Sequence, residues 1–251
     1  MKLTRPVFIH GWAFSSKVFD GFTGIKVDLP GHGKNAKPYT GFRDMVEDIA
    51  LSLPSSHDIV GWSLGGSVAL MLAFLFPSKV RRLFLIGTTP HFRRAWREAN
   101  LRAFRMMVKR KGIEAFRDIA LERPFSDRVD TGSALRMLED YINLDLTHIL
   151  PLIGAETYII HGEGDRVVPV GEALKMRSLL KRSKLIILQE DICPLGMKGT
   201  LSLRFSRSAE TYDRWAIPQR ECAKVLVEMV RPEGSVLDVG CGTGFVSSFH
   251  G

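Results

Sequence analysis

Cysteine is scarce in this sequence: Cys193, Cys222 and Cys241 are the only three in 251 residues. An odd and widely spaced set builds no disulfide framework, and no Cys/His cluster has zinc-ligand spacing, so no metal is expected. Long apolar runs are missing as well. No stretch is long enough to span a bilayer, and the opening Met1-Lys2-Leu3-Thr4-Arg5-Pro6 has no signal-peptide apolar core. These absences predict a soluble cytoplasmic protein with reduced thiols and no membrane partner. Acidic side chains fall short of basic ones, 27 against 35, which leaves a net charge of +8. Much of that excess lies between Arg93 and Arg123. Two readings of the stretch stay open: a solvated helix face, or a docking surface for an acidic partner. No nucleic-acid-binding motif accompanies the charge, so no nucleic-acid partner is expected. Histidine, finally, runs out: after His161 the only one is His250.

What is present alternates. Apolar runs at Val7-Phe8-Ile9, Ile25 to Asp28, Asp58 to Trp62, Val80 to Ile86, Thr157 to Ile160 and Leu185 to Leu188 read as strands. Between them, Phe42 to Leu53, Leu64 to Phe76 and Gly171 to Leu180 read as helices, the second stopped by Pro77. Strands alternating with helices predict an α/β fold with a mostly parallel sheet covered on both faces. From about 91 to 152 the alternation breaks. That segment is helix-like with no strand signal, which predicts an inserted helical cap.

Gly61-Trp62-Ser63-Leu64-Gly65 matches G-x-S-x-G between a predicted strand and a predicted helix. This is the nucleophile-elbow pattern of the α/β-hydrolase fold, and it makes Ser63 the candidate nucleophile. The helix starting at Leu64 points its positive end at the site, so the Leu64 N–H is one candidate oxyanion donor. The loop His10-Gly11-Trp12 supplies the other, through the Trp12 N–H, with the indole lining an acyl pocket. Asp165, in the glycine-rich turn His161-Gly162-Glu163-Gly164-Asp165 after an apolar strand, is the candidate acid in the chain order Ser, Asp, His. His161 is expected to be a hydrogen-bonded strand-end residue, being too close in sequence to the acid it would have to pair with.

The residues His10-Gly11-Trp12, Asp28-Leu29-Pro30-Gly31-His32-Gly33, Gly61-Trp62-Ser63-Leu64-Gly65-Gly66 and Gly162-Glu163-Gly164-Asp165 together resemble the pimeloyl-ACP methyl ester esterases of biotin synthesis. The resemblance covers about residues 3 to 195. It implies hydrolysis of an acyl methyl ester held on acyl carrier protein, with no cofactor. It also implies that cap arginines dock that carrier, here Arg102 and Arg105 with Lys109. In that family the loop after the last strand reads Gly-His-x-Pro-Leu; this chain reads Asp191-Ile192-Cys193-Pro194-Leu195, so Ile192 stands where the catalytic histidine belongs.

Past residue 200 the character changes. Arg204 to Asp213 is similar to the opening segment of the malonyl-ACP O-methyltransferases. Val236-Leu237-Asp238-Val239-Gly240-Cys241-Gly242-Thr243-Gly244 is similar to the first SAM-binding motif of class I methyltransferases, which makes Asp238, Gly240 and Gly242 candidate cofactor-binding residues. The sequence stops seven residues after that motif. The expectation is a hydrolase domain over 1–200 followed by a truncated Rossmann-like segment over 201–251, with one wall of a SAM site at most. Three functions follow from these readings: an esterase with an incomplete triad, a non-catalytic carrier-binding remnant, and, more weakly, a SAM-binding methyltransferase fragment.

Overall fold

The computed structural model describes residues 5–120, 125–165 and 167–188. Ile192 and the SAM-motif residues Asp238, Gly240 and Gly242 lie outside them. Among the described residues six strands form one parallel sheet: β1 (Val7–Ile9), β2 (Ile25–Val27), β3 (His57–Trp62), β4 (Val80–Ile86), β5 (Glu156–Gly162) and β6 (Ser183–Leu188), in the order β2-β1-β3-β4-β5-β6. Every residue of β3 is buried, so both faces of the sheet centre are covered; the edge strands β2 and β6 are more open.

The helices between the strands follow their apolar spacing. α1 (Phe42–Ser52) buries Phe42, Met45, Val46 and Ile49, one face at i, i+3, i+4 and i+7. α2 (Leu64–Leu75) has no polar face and is buried nearly throughout, as a helix wedged into the core must be. At the base of β3, Asp58 is buried and accepts paired hydrogen bonds from both Arg81 and Arg82 of β4. Burial alone would raise its pKa, but the two guanidiniums outweigh that and hold the carboxyl below its ordinary value.

The segment between β4 and β5 is mainly helical: α3 (Phe92–Ala95), α4 (Glu98–Ala120) and α5 (Thr131–Asn143), then a 3-10 turn at Thr147–Leu152. α4 breaks at Gly112, where φ is 83°. α5 is capped by Asp130, whose carboxylate accepts from the Ser133 N–H. Two expectations for this segment need correction. It is not helical throughout: around 125–130 the chain is extended, with Val129 bridged antiparallel to His32, the Gly33 N–H donating to the Arg128 carbonyl and the Asp130 N–H to the Gly31 carbonyl. Nor do all its cations face solvent. Arg117 is buried and donates to the carbonyls of Ala13 and Asp127, with its guanidinium over the Phe125 ring. α6 (Val170–Leu179), the last helix among the described residues, leads from the turn after β5 to β6.

Candidate active site

The parallel strands deliver their connecting loops to one end of the sheet, where ligands bind in open α/β folds. Ser63 stands there, between β3 and α2, with φ 53° and ψ −121°, a strained conformation for a residue bearing a side chain. The surroundings hold it. The Ser63 N–H donates to the Ile86 carbonyl at 2.9 Å, and its carbonyl accepts from the Gly66 N–H at 2.9 Å and the Thr88 hydroxyl at 2.6 Å. The flanking glycines are obligatory: a Cβ on Gly61 would overlap the Gly65 backbone, and one on Gly65 would overlap the Ile9 carbonyl. The G-x-S-x-G spacing is thus the packing requirement of a helix that starts hard against β1 and β3.

The first loop lies on the elbow. A Cβ on Gly11 would sit 3.2 Å from the Ser63 Cβ, so Gly11 borders Ser63 directly and Trp12 follows it in the chain. Three anchors fix this loop. The His10 ring donates from Nδ1 to the Gly11 carbonyl and accepts at Nε2 from the Leu29 N–H. The Trp12 indole N–H donates to the Ala134 carbonyl of α5 at 2.7 Å, with its ring against Phe104 and Phe116. Arg117 grips Ala13, which follows at φ 67°. Asp28 organises the neighbouring turn, accepting from the N–H groups of Ser16 and Lys34. The two sequence runs around His10 and Asp28 are therefore one interlocked structure, the His10 and His32 rings being 5.4 Å apart. Burial, then the neighbouring His32, lowers the His10 pKa to about 3, so the ring is neutral.

Asp165 follows β5, two strands from the elbow in the sheet order and so about 10 Å across it. Its Oδ1 accepts from the Val167 and Val168 N–H groups, each at 2.8 Å. Burial raises its pKa, opposed by those two hydrogen bonds and by His161. His161 is fully buried and donates from Nε2 to the Val168 carbonyl at 2.8 Å, with Asp165 Oδ2 farther off at 3.7 Å. That is a ring bracing the acid turn. The cap braces the same turn from outside, the Trp96 indole N–H donating to the Val167 carbonyl at 2.6 Å.

One site residue escaped sequence reasoning. Tyr141 of α5 is buried, and its hydroxyl lies beside those of Ser67 and Ser63 without meeting either in hydrogen-bonding geometry. Its register on the buried face of an amphipathic helix was its only signal, and that signal reads equally as core. The basic residues singled out on α4 differ among themselves. Arg102 and Lys109 are exposed, whereas Arg105 is partly buried in a paired contact with Glu139 of α5.

The sequence profile of the alpha/beta hydrolase family matches residues 7–189. A pimeloyl-[acyl-carrier protein] methyl ester esterase of Nitrosomonas europaea is 32% identical over 215 residues, covering 72% of this chain and 85% of that protein. The biotin biosynthesis bifunctional protein BioHC of Teredinibacter turnerae is 24% identical, covering 95% of this chain and 55% of that protein. Among solved structures, an esterase from Exiguobacterium antarcticum superposes with a TM-score of 0.70 at 23% identity, over 92% of this chain and 94% of that one. At that identity the likeness is one of fold.

Proposed function

The chain belongs to the alpha/beta hydrolase family, and from that membership we propose that it is a serine carboxylic-ester hydrolase for the methyl ester of an acyl chain borne on acyl carrier protein. The observation that carries the reading is the Ser63 elbow: a strained, triply held serine between β3 and α2, bordered by Gly11. In this reading Ser63 Oγ attacks the ester carbonyl, and the Leu64 and Trp12 N–H groups receive the oxyanion. The tetrahedral adduct collapses with loss of methanol, and water then cleaves the acyl-serine. Asp165 is the acid that orients the base. The naming of the esterase relatives supports the substrate class, and the exposed Arg102 and Lys109 support an acidic carrier as its vehicle.

The base is where this chain departs from the pattern. Isoleucine accepts no proton, and Ile192 occupies the position of the family's histidine. Ser63 without an imidazole keeps only what the oxyanion donors and binding provide, a loss of several orders of magnitude. Methyl-ester hydrolysis by the chain as it stands is therefore expected to be barely measurable. Ile192→His should raise it at least tenfold, and adding Ser63→Ala should abolish the gain. Efficient hydrolysis without the substitution would place the base elsewhere. No rescue in a folded variant would favour the second reading, a carrier-binding protein that has lost its chemistry; the missing histidine is the observation behind that alternative.

Residues 201–251 enter the proposal as a second, methyltransferase-like segment. What supports it is the Asp238-Val239-Gly240-Cys241-Gly242 motif and an alignment to the bifunctional relative that covers 95% of this chain.

A further inference from the structure

α5 crosses the catalytic end of the sheet. Ala134, Met137, Leu138 and Tyr141 form its buried face. Ala134 receives the indole N–H of the first loop, on the β1 side of Ser63. Tyr141 is seven residues further on, about 10 Å along the helix axis. Its ring packs on Phe92, with centroids 4.8 Å apart. Its hydroxyl lies beside Ser63 and Ser67 and is near enough to Asp165 and Glu172 to feel their charge, which puts it on the β5 side. The first loop and its oxyanion donors flank the nucleophile on one side; the phenol flanks it on the other.

That hydroxyl is buried beside the Ser67 and Ser63 hydroxyls and meets no partner in hydrogen-bonding geometry among the described residues. A buried polar group left unpaired is costly, and a native one calls for an explanation. Of the groups around it, Ser67 donates to the Thr89 carbonyl at 2.9 Å and Glu172 accepts from the Thr89 hydroxyl at 2.6 Å, which leaves the Ser63 hydroxyl beside it. Burial keeps the phenol's pKa above its ordinary value, so the group remains a donor at any working pH.

We propose that Tyr141 is a substrate-contacting catalytic residue whose hydroxyl donates to the alkoxy oxygen of the bound ester, the oxygen that departs as methanol. The assignment rests on the esterase reading. With the carbonyl oxygen drawn toward Leu64 and Trp12, the alkoxy oxygen faces the acid side of Ser63, where Tyr141 waits. The donor favours oxoesters over acyl groups that present no acceptor there.

The test uses the full chain carrying Ser63→Ala, which cannot turn over, with and without Tyr141→Phe. Calorimetry measures binding of dimethyl pimelate and of undecane-3,9-dione, in which a methylene replaces each alkoxy oxygen. Tyr141→Phe should weaken the diester about fivefold to tenfold and leave the diketone unchanged. Its melting temperature should stay level or rise, because the deleted hydroxyl meets no partner in hydrogen-bonding geometry among the described residues. Equal weakening of both ligands, or unchanged diester binding, overturns the assignment, as does a melting temperature several degrees lower with no ligand effect. If neither ligand binds the Ser63→Ala protein at all, the esterase reading falls and the Tyr141 assignment falls with it; loss of the assignment alone is marked by a diester that binds both proteins equally.

Discussion

His10 shows how one side chain can be required by its chemistry and still be outside the reaction. Both ring nitrogens are committed, Nδ1 as donor to Gly11 and Nε2 as acceptor from Leu29. A second ring proton would meet the Leu29 N–H head-on. Its folded pKa, lowered to about 3 from 6.5, lies below the unfolded value. The unfolded chain therefore binds the extra proton first as pH falls, and the stability contributed by neutral His10 is full above about pH 6.5 and lost progressively toward pH 3. His32, also shifted down by burial, acts in the same sense. We expect denaturant unfolding to show about 1.4 kcal/mol lost per pH unit from His10 between about pH 6 and 5, above the range where most carboxylates titrate, with His32 adding in the same direction. His10→Gln should flatten that slope. A flat profile in the unsubstituted protein over this interval would refute the account.

Among the elements, the cap is tied to the acid turn by one contact whose removal is clean. Trp96→Phe keeps the ring against Phe92 and Phe104 and deletes the N–H that Val167 receives. The expected cost is about 1 kcal/mol, with faster hydrogen exchange at Val167 and Val168 and no change in β3 and β4. Equal acceleration in all strands would mean a global effect and no specific tie. The strands themselves were legible from sequence because their limits are chemical: β4 runs between Pro77 and Gly87, and its predicted bounds, Val80 to Ile86, are those observed. The elbow was legible for the same reason, since only glycine fits at 61 and 65. The cap was not legible in detail. The bridge between Val129 and His32 joins residues far apart in sequence, and nothing local marks either as paired. Arg117 reads as one more surface cation until the carbonyls of Ala13 and Asp127 are seen around it, and Tyr141 reads as core until its hydroxyl is found beside Ser63.

For the whole molecule, the net charge of +8 is spent unevenly. Arg117 is internal and Arg105 is engaged by Glu139, while Arg102 and Lys109 stand free to solvent. If the proposed docking of an acidic acyl carrier protein uses this surface, it should fall at least tenfold on Arg102→Glu with Lys109→Glu, and the difference should shrink at several hundred millimolar salt. Reversal at Arg105 would also set two carboxylates against each other, so its effect mixes binding with stability. Unchanged affinity in the double variant at low salt would remove the docking surface. The bonds from Trp12 to Ala134 and from Arg117 to Ala13 have a consequence for how such a protein can be rebuilt or inherited. A cap transplanted from another sequence would have to bring an acceptor and a cation to the same two places, or the loop beside Ser63 would lose its fixed points. Cap and first loop form a single exchangeable part, and trimming the cap removes the supports of the loop at the Ser63 elbow.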